Sequence, residues 1–373
     1  MQEEFVVTPW EVRGKIDYEK LLKKFGTKQI DDELLERVKK HTKDLHFMLR
    51  RRIFFSHRDL DFILDKYENG EKFFLYTGRG PSGKTHLGHL IPWIFTKWLQ
   101  DKFDAELYFQ ITEDEKSLIN RNLSLEETVN LAYDNILDVI AVGFDPKKTH
   151  IFLNTEYSKT LYKIAIKIAK HITFSTAKAI FGFENSSNIG IIFFPSMQIA
   201  PCFLPSVLEG RNIPCLIPAS IDQDDYWRPA RDVAVKLGFY KPAQIHCKLL
   251  PSLQGPDTKM SSSQPNTAIF TTDTPEEVRK KIMNAFTGQQ PTAELQRKLG
   301  GNPEICSVCQ YYFYLFEEDD KKVQEIFESE RNGTLLAGEH KEDLAEKAVK
   351  FIEDFQKKRE KAKDQIEKFM LRD

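Results

Sequence analysis

The chain is poor in cysteine, with five in 373 residues, and their odd, scattered placement at Cys202, Cys215, Cys247, Cys306 and Cys309 argues against a disulfide framework. They read as free thiols. It also lacks an excess of either charge. With 54 Lys and Arg against 56 Asp and Glu the formal net charge is −2, so any nucleic-acid partner must be met by local basic patches and not by the overall field. No apolar run of about 18 residues stands out as a membrane span, and Met1-Gln2-Glu3-Glu4 has none of the regions of a signal peptide. A cytoplasmic location with no membrane attachment is the expectation. Repeats and low-complexity tracts are missing too. Cys306-Ser307-Val308-Cys309 has metal-ligand spacing, but a four-ligand zinc site needs a second pair, and only His246 with Cys247 is a conceivable donor. The preferred reading is two small apolar side chains opening a helix over Gln310–Tyr314, with no metal site.

What is present is an alternation. At this length two domains are the prior, with a smaller appended piece. Residues 1–70 read as helical pieces: Tyr18, Leu21, Leu22 and Phe25 have helical spacing, and Ser56 with Asp59 is shaped like a capping box before Leu60. From 71 to about 250, strand-like runs at Phe73–Thr77, Leu107–Thr112, His150–Leu153, Cys215–Ala219 and Gln244–Leu249 alternate with helical stretches such as Leu125–Val142 and Ser158–Ile172. This pattern predicts an α/β fold: a Rossmann-like parallel sheet covered by helices, with ligands at the carboxyl ends of its strands. Turn-rich Leu250–Asn266 reads as an exposed, mobile loop. Beyond Pro275 strand signals vanish, and a separate all-helical domain follows. The expected divisions are 1–70, 71–275 and 276–373.

Residues 73–90, FFLYTGRGPSGKTHLGHL, fit two phosphate-binding devices at once. Gly78, Gly83, Lys84 and Thr85 complete the P-loop pattern after a strand-like run, for which Asp222 or Asp114 would be the second carboxylate. The same segment continues into His86-Leu87-Gly88-His89, where two imidazoles at a helix start share a face, Gly88 admits a ligand to the backbone and first-turn N–H groups attract an anion. The helix after it, Leu87 to Leu99, is apolar nearly all round. Pro92, four residues after Gly88, predicts a loosened turn with a freed carbonyl.

The His-Leu-Gly-His turn and the later Lys259-Met260-Ser261-Ser262-Ser263 loop are each weak signals, but together they resemble the two signatures of class I aminoacyl-tRNA synthetases. The loop departs from that pattern at Ser262, where the family has a second Lys, so its cationic role rests on Lys259. YTGRGPS at 76–82, PWIFTKWLQ at 92–100, TEDEK at 112–116, IFGF at 180–183, Phe194-Pro195 with Gln198, IDQD at 221–224 and GPDTKMSSS at 255–263 are similar to tryptophanyl-tRNA synthetases of the archaeal and eukaryotic type. So are the amino-terminal PWEVRGKIDYEKLLKKFG and IFFSHRDL. In this light Gly83-Lys84-Thr85 is a chance completion of the P-loop pattern.

The resemblance implies an amino-terminal extension, a catalytic domain and a carboxy-terminal anticodon-binding domain. Its substrates would be L-tryptophan, ATP and tRNA(Trp), with Mg²⁺ screening the phosphates and a homodimer as the working form. It assigns phosphate chemistry to His86, His89, Lys259, Ser261, Ser262 and Ser263. Arg79, Gly80, Gly88, Asp222, Lys259 and Met260 fall to ATP. Tyr76 and Gln110 would read the indole nitrogen, while Glu115, Gln198 and Gln223 would hold the ammonium. Lys357, Lys358, Arg359, Lys361, Lys363 and Arg50-Arg51-Arg52 are available for RNA phosphates. Three alternatives stay open at this point: a tyrosine-specific relative, a P-loop nucleotidase and a non-catalytic RNA-binding descendant.

Overall fold

The computed structural model describes residues 5–7, 12–14, 16–120, 122–256, 258, 260–261 and 264–373. Strands β1 (Val6–Val7) and β2 (Val12–Arg13) form a small antiparallel ribbon. The main sheet has seven strands, β3 (Lys28–Gln29), β4 (Phe54–Arg58), β5 (Phe74–Arg79), β6 (Glu106–Ile111), β7 (Thr149–Leu153), β8 (Cys215–Ser220) and β9 (Ala243–Cys247), in the order β3-β4-β9-β8-β5-β6-β7. The five expected strands are β5 to β9, and they are mutually parallel.

That order makes β5 and β8 the switch point, where the chain turns outward in opposite directions and a crevice opens. The pairing shows how it opens. β5 keeps six residues in register with β6 but only Phe74 and Leu75 with β8. The carbonyl of Pro214 faces β5, accepting from the Phe74 N–H at 3.0 Å, so by the two-residue alternation of a strand Pro218 faces β5 too. Pro218 has no N–H to donate, and the ladder stops there.

The amino-terminal segment is helical over Tyr18–Phe25, Asp32–Thr42 and Leu60–Glu68, as expected, but not throughout. It supplies β3 and β4, the latter antiparallel to β9. Phe54 and Phe55 are buried, and Phe54 stacks on Phe95 of the helix Leu87–Phe103 at 3.8 Å, so aromatic packing in the sheet overrides local helical spacing. The expected capping box at Ser56 fails for the same reason. Ser56 lies in β4 with its Oγ 3.0 Å from His246 Nδ1, and the helix Leu60–Glu68 is capped instead by His57, whose Nδ1 accepts from the Leu60 N–H.

Three other expectations change. The helix Leu87–Phe103 is continuous through Pro92, so the ring does not interrupt it. Residues 250–266 are not wholly exposed: Ser252 and Leu253 are fully buried, and Leu253 exchanges backbone bonds with Thr267 and Phe286. The stretch Ile189–Glu209 does have the length and hydropathy of a membrane span, but it is 67% buried and breaks at Ala200–Phe203 into a 3₁₀ turn. It fills the core on one face of the sheet with Leu161, Ile164 and Trp227.

The other face packs Leu90, Trp93 and Phe95 in one cluster with Tyr311, Tyr312, Leu344, Ile352 and Phe355 of the carboxy-terminal helices. The longest of these, Ala337–Ala362, hands over to a 3₁₀ turn at Lys363–Lys368. The chain then lies beside β7, where Ile151 bonds Phe369 and Leu371 at 2.7 Å each.

Candidate functional site

A cleft of about 980 Å³ occupies the switch point. One part of its wall is built by the turn after β5. His86 takes an extended conformation and the helix begins at Leu87. The rings of His86 and His89 stack with centroids 3.7 Å apart, and the His86 N–H donates to His89 Nδ1 at 3.1 Å. His89 Nε2 lies 2.9 Å from Arg79 Nη1. Both of these neighbours are donors, and a neutral imidazole has one accepting nitrogen, so the two contacts compete for it.

Arg79 is buried, only 8% exposed. Its Nε donates to Asn135 Oδ1 at 3.1 Å, while its buried Nη2 has no partner among the described residues. Burial pushes the guanidinium down to about 10, against the opposing pull of Asp138 and Glu115, so it keeps its charge at neutral pH.

Two glycines are fixed by close approach. A Cβ on Gly88 would stand 3.0 Å from His86 Nδ1 and 3.1 Å from Met260 Sδ; one on Gly80 would collide with Lys116. The Gly88 contact brings the loop to the histidine turn, and Thr258, Met260 and Ser261 line the same cleft. Lys259, Ser262 and Ser263 lie outside the described residues. Asp222, in the 3₁₀ turn after β8, is 6% exposed and accepts from Gln223 Nε2 at 3.2 Å.

The P-loop alternative fails on geometry. Gly78 is inside β5, opposite Gln110, the helix starts after His86 and not at Lys84, and Lys84 is exposed and absent from the cleft lining.

The opposite end is a closed hydrogen-bond network. Tyr76 is fully buried, its Oη 2.5 Å from Gln110 Oε1 and 2.8 Å from the Gln198 carbonyl, and it receives Gln198 Nε2 at 3.2 Å. Burial holds this phenol well above its ordinary pKa, as a neutral hydroxyl. Gln110 donates onward to Asn154 Oδ1 at 2.8 Å. Tyr76, Glu115, Gln198 and Gln223 line the cleft; Gln110 stands one bond behind Tyr76 and does not. Glu115 accepts from Thr112 Oγ1 and Tyr226 Oη, both at 3.2 Å, and pairs with Lys116 at 2.9 Å. Beside it, burial and the neighbouring Glu113 carboxylate raise Asp114 to about 7.

Sequence reasoning missed Lys116, Tyr226 and Trp227, all in the cleft wall; Trp227 meets the Tyr76 ring edge-on at 5.4 Å. Their signal was adjacency, Lys116 to Glu115 and the aromatic pair to the IDQD run.

Several basic candidates are spent on the fold. Arg50 and Arg51 both clamp Asp320, at 2.6 and 2.7 Å, and Arg52 pairs with Asp32. Arg359 bonds Asp134 and Asp138, bracing the helix Ala337–Ala362 against Leu125–Ala141. Lys357 and Lys363 sit in helical pairs with Asp354 and Glu360, while Lys358 and Lys361 are exposed.

A parallel sheet whose switch point faces a stacked imidazole pair, a loop methionine packed on it and a buried arginine fits an ATP-dependent, carboxylate-activating ligase of the class I type. Comparison makes this particular. The model of the family described as tRNA synthetases class I (W and Y) matches residues 68–353. A tryptophan–tRNA ligase of Saccharolobus solfataricus is 56% identical over 370 residues, 99% of this chain and 96% of that one. The crystal structure of Plasmodium falciparum tryptophanyl-tRNA synthetase superposes with a TM-score of 0.88 at 43% identity, covering 95% of each chain. One from Encephalitozoon cuniculi, bound to tryptophan, gives 0.87 at 37% identity, covering 95% of this chain and 98% of that one. The chain belongs to the class I tRNA synthetases of the tryptophan and tyrosine family.

Proposed function

We infer that the chain activates L-tryptophan with ATP, forming tryptophanyl-adenylate and pyrophosphate, and then transfers the amino acid to tRNA(Trp). The observation that carries this reading is the pairing, in one cleft, of the stacked His86 and His89 with the Tyr76–Gln198 network and the Glu115 carboxylate. In the first step a carboxylate oxygen attacks the α-phosphorus and the bond to the bridging oxygen of pyrophosphate breaks, moving negative charge onto the β- and γ-phosphates. Donors fixed in place before the reaction stabilise that charge. In our assignment these are His86, His89, Arg79, the amides of the helix start and Lys259, with Ser261, Ser262 and Ser263 adding hydroxyl and backbone donors. A ribose hydroxyl of the tRNA terminus then attacks the anhydride carbonyl, releasing AMP.

We assign Gly80, Gly88 and Met260 to the nucleotide's flat surfaces and Asp222 to its ribose. Tyr76, held by Gln110, reads the indole N–H, and Glu115, Gln198 and Gln223 take the ammonium. Phenylalanine would leave the acceptor in this network unpaired, which disfavours it. Mg²⁺ fits as an ion held chiefly by phosphate oxygens, with Asp222 the nearby carboxylate in our assignment; it would supply screening of the departing charge. The exposed Tyr162, Ile166, Phe174, Ile189 and Leu208 offer an apolar face for a homodimer. Lys358 and Lys361 are our candidates for RNA phosphates.

Pyrophosphate exchange into ATP, measured with each standard amino acid in turn, tests the reading. Exchange with tryptophan alone is expected. Exchange with tyrosine and not tryptophan would overturn the specificity, and tRNA binding without exchange would overturn the activity.

A further inference from the structure

Cys306 caps and Cys309 lies within the helix Ser307–Tyr311, Glu330 is in the last turn of the helix Asp320–Arg331, and His340 is in the first turn of the helix Ala337–Ala362. The fold brings one ligand-capable atom of each to within 4.8 Å of the others. All four are buried, His340 at 2% exposure and the rest at 0%. Gln289 Nε2 donates to Glu330 Oε2 at 2.6 Å, but Glu330 Oε1 and both ring nitrogens of His340 have no hydrogen-bond partner among the described residues. Leaving a carboxylate oxygen and an imidazole unsatisfied in the interior is costly, and something must compensate.

The spacing indicates what. His340 Nδ1 lies 3.6 Å from Glu330 Oε2, too far for a hydrogen bond but close to one edge of a coordination tetrahedron, since metal–ligand bonds of about 2.0–2.3 Å set donor atoms roughly 3.3–3.8 Å apart. The Tyr312 ring stacks on His340 at 5.2 Å and 7°, fixing the imidazole plane. The sequence reading looked for the second ligand pair at His246 and Cys247, but His246 is engaged by Ser56 and Asp224 in the main sheet. Glu330 and His340 take that place.

We propose that Cys306, Cys309, Glu330 and His340 bind one divalent ion of the zinc class, tying three helices of the carboxy-terminal region together. Two thiolates with an imidazole and a carboxylate suit zinc and not calcium or magnesium, which take oxygen ligands. Binding deprotonates both thiols, releasing two protons to solvent, and leaves the neutral imidazole and the carboxylate unchanged. The site is then −1 overall. A Cys306–Cys309 disulfide would consume both sulfurs and leave Glu330 and His340 uncompensated.

The test uses the full-length protein, reduced, stripped of metal and titrated with Co²⁺ and then Zn²⁺. Expected are the charge-transfer and tetrahedral ligand-field absorptions of cobalt bound by thiolate, saturating at about one ion per chain, and their loss on adding Zn²⁺. The zinc-loaded chain should also melt at a higher temperature than the stripped one. His340→Gln and Glu330→Gln keep the side-chain volume and should weaken Zn²⁺ binding about 10-fold or more. Absence of thiolate–cobalt absorption in the correctly folded wild-type chain would overturn the proposal. So would equal zinc binding by Cys306→Ser/Cys309→Ser, or a disulfide formed in preference to metal loading.

Discussion

The two ends of the cleft are built on opposite principles. At the end we assign to tryptophan, Tyr76, Gln110, Gln198 and Asn154 hold one another through side-chain hydrogen bonds in a buried network, and Glu115 is held separately by Thr112 and Tyr226. At the end we assign to the nucleotide the described contacts are close approaches and competing donors: Gly88 against Met260, His89 between a backbone N–H and a guanidinium, and an Arg79 nitrogen with no partner among the described residues. A network whose members hold one another in place suits recognition of a small rigid ring, because its polar atoms are positioned before the ligand arrives. An end with spare donors suits a charge that exists fully only as the reaction proceeds.

The largest expected effect tests the support beneath both ends. Asp224 ends the IDQD run and is fully buried; burial alone would raise its carboxyl, but Arg58 of β4 and His246 overcome this and hold it well below the usual range. Arg58→Ala leaves that charge without its guanidinium and should cost about 3–5 kcal/mol of stability, read by urea unfolding. A loss under about 1 kcal/mol would mean that the amino-terminal strands are ornamental to the cleft.

Next, His89→Ala should reduce the rate of tryptophanyl-adenylate formation by about 100- to 1,000-fold, or roughly 2.7–4 kcal/mol, with tryptophan affinity and melting temperature unchanged. If tryptophan affinity fell equally, the division of labour between the ends would be wrong. Gln110→Ala should do the reverse: a stability loss of about 1–3 kcal/mol and a raised KM for tryptophan, with the KM for ATP unaltered.

The smallest effect is a pH dependence. Asp114 is raised from 3.8 to about 7 in the folded chain, so the fold favours its protonated form. Its stabilising contribution is complete below pH 3.8 and is lost as pH rises to about 7. Asp114→Asn should remove that slope from the stability profile over this window, and an unchanged profile would place the titration elsewhere.

How much of this was legible beforehand varies with distance along the chain. The histidine turn, the five parallel strands and the loop near Met260 were readable because strand periodicity, glycine and helix-start chemistry are encoded within a few neighbouring residues. Pro218 was visible as well, though its consequence, the early end of the β5–β8 ladder, needed the strand order. Misreadings came where packing chose between local options, as when Phe54 joined a sheet strand and Ser56 gave up its capping role to His57.

Partners of charged and ligating residues lay furthest from view. Arg51 could have been an RNA contact until Asp320 was placed beside it, and Cys306 a plain helix opener until Glu330 and His340 arrived. The sequence by itself determined the class of chemistry, because the groups that handle phosphate and the backbone that presents them are contiguous. Only the tertiary structure decided which cations, thiols and carboxylates are spent on holding the molecule together, because a Coulomb partner or a ligand is chosen by proximity in space, which no local pattern records.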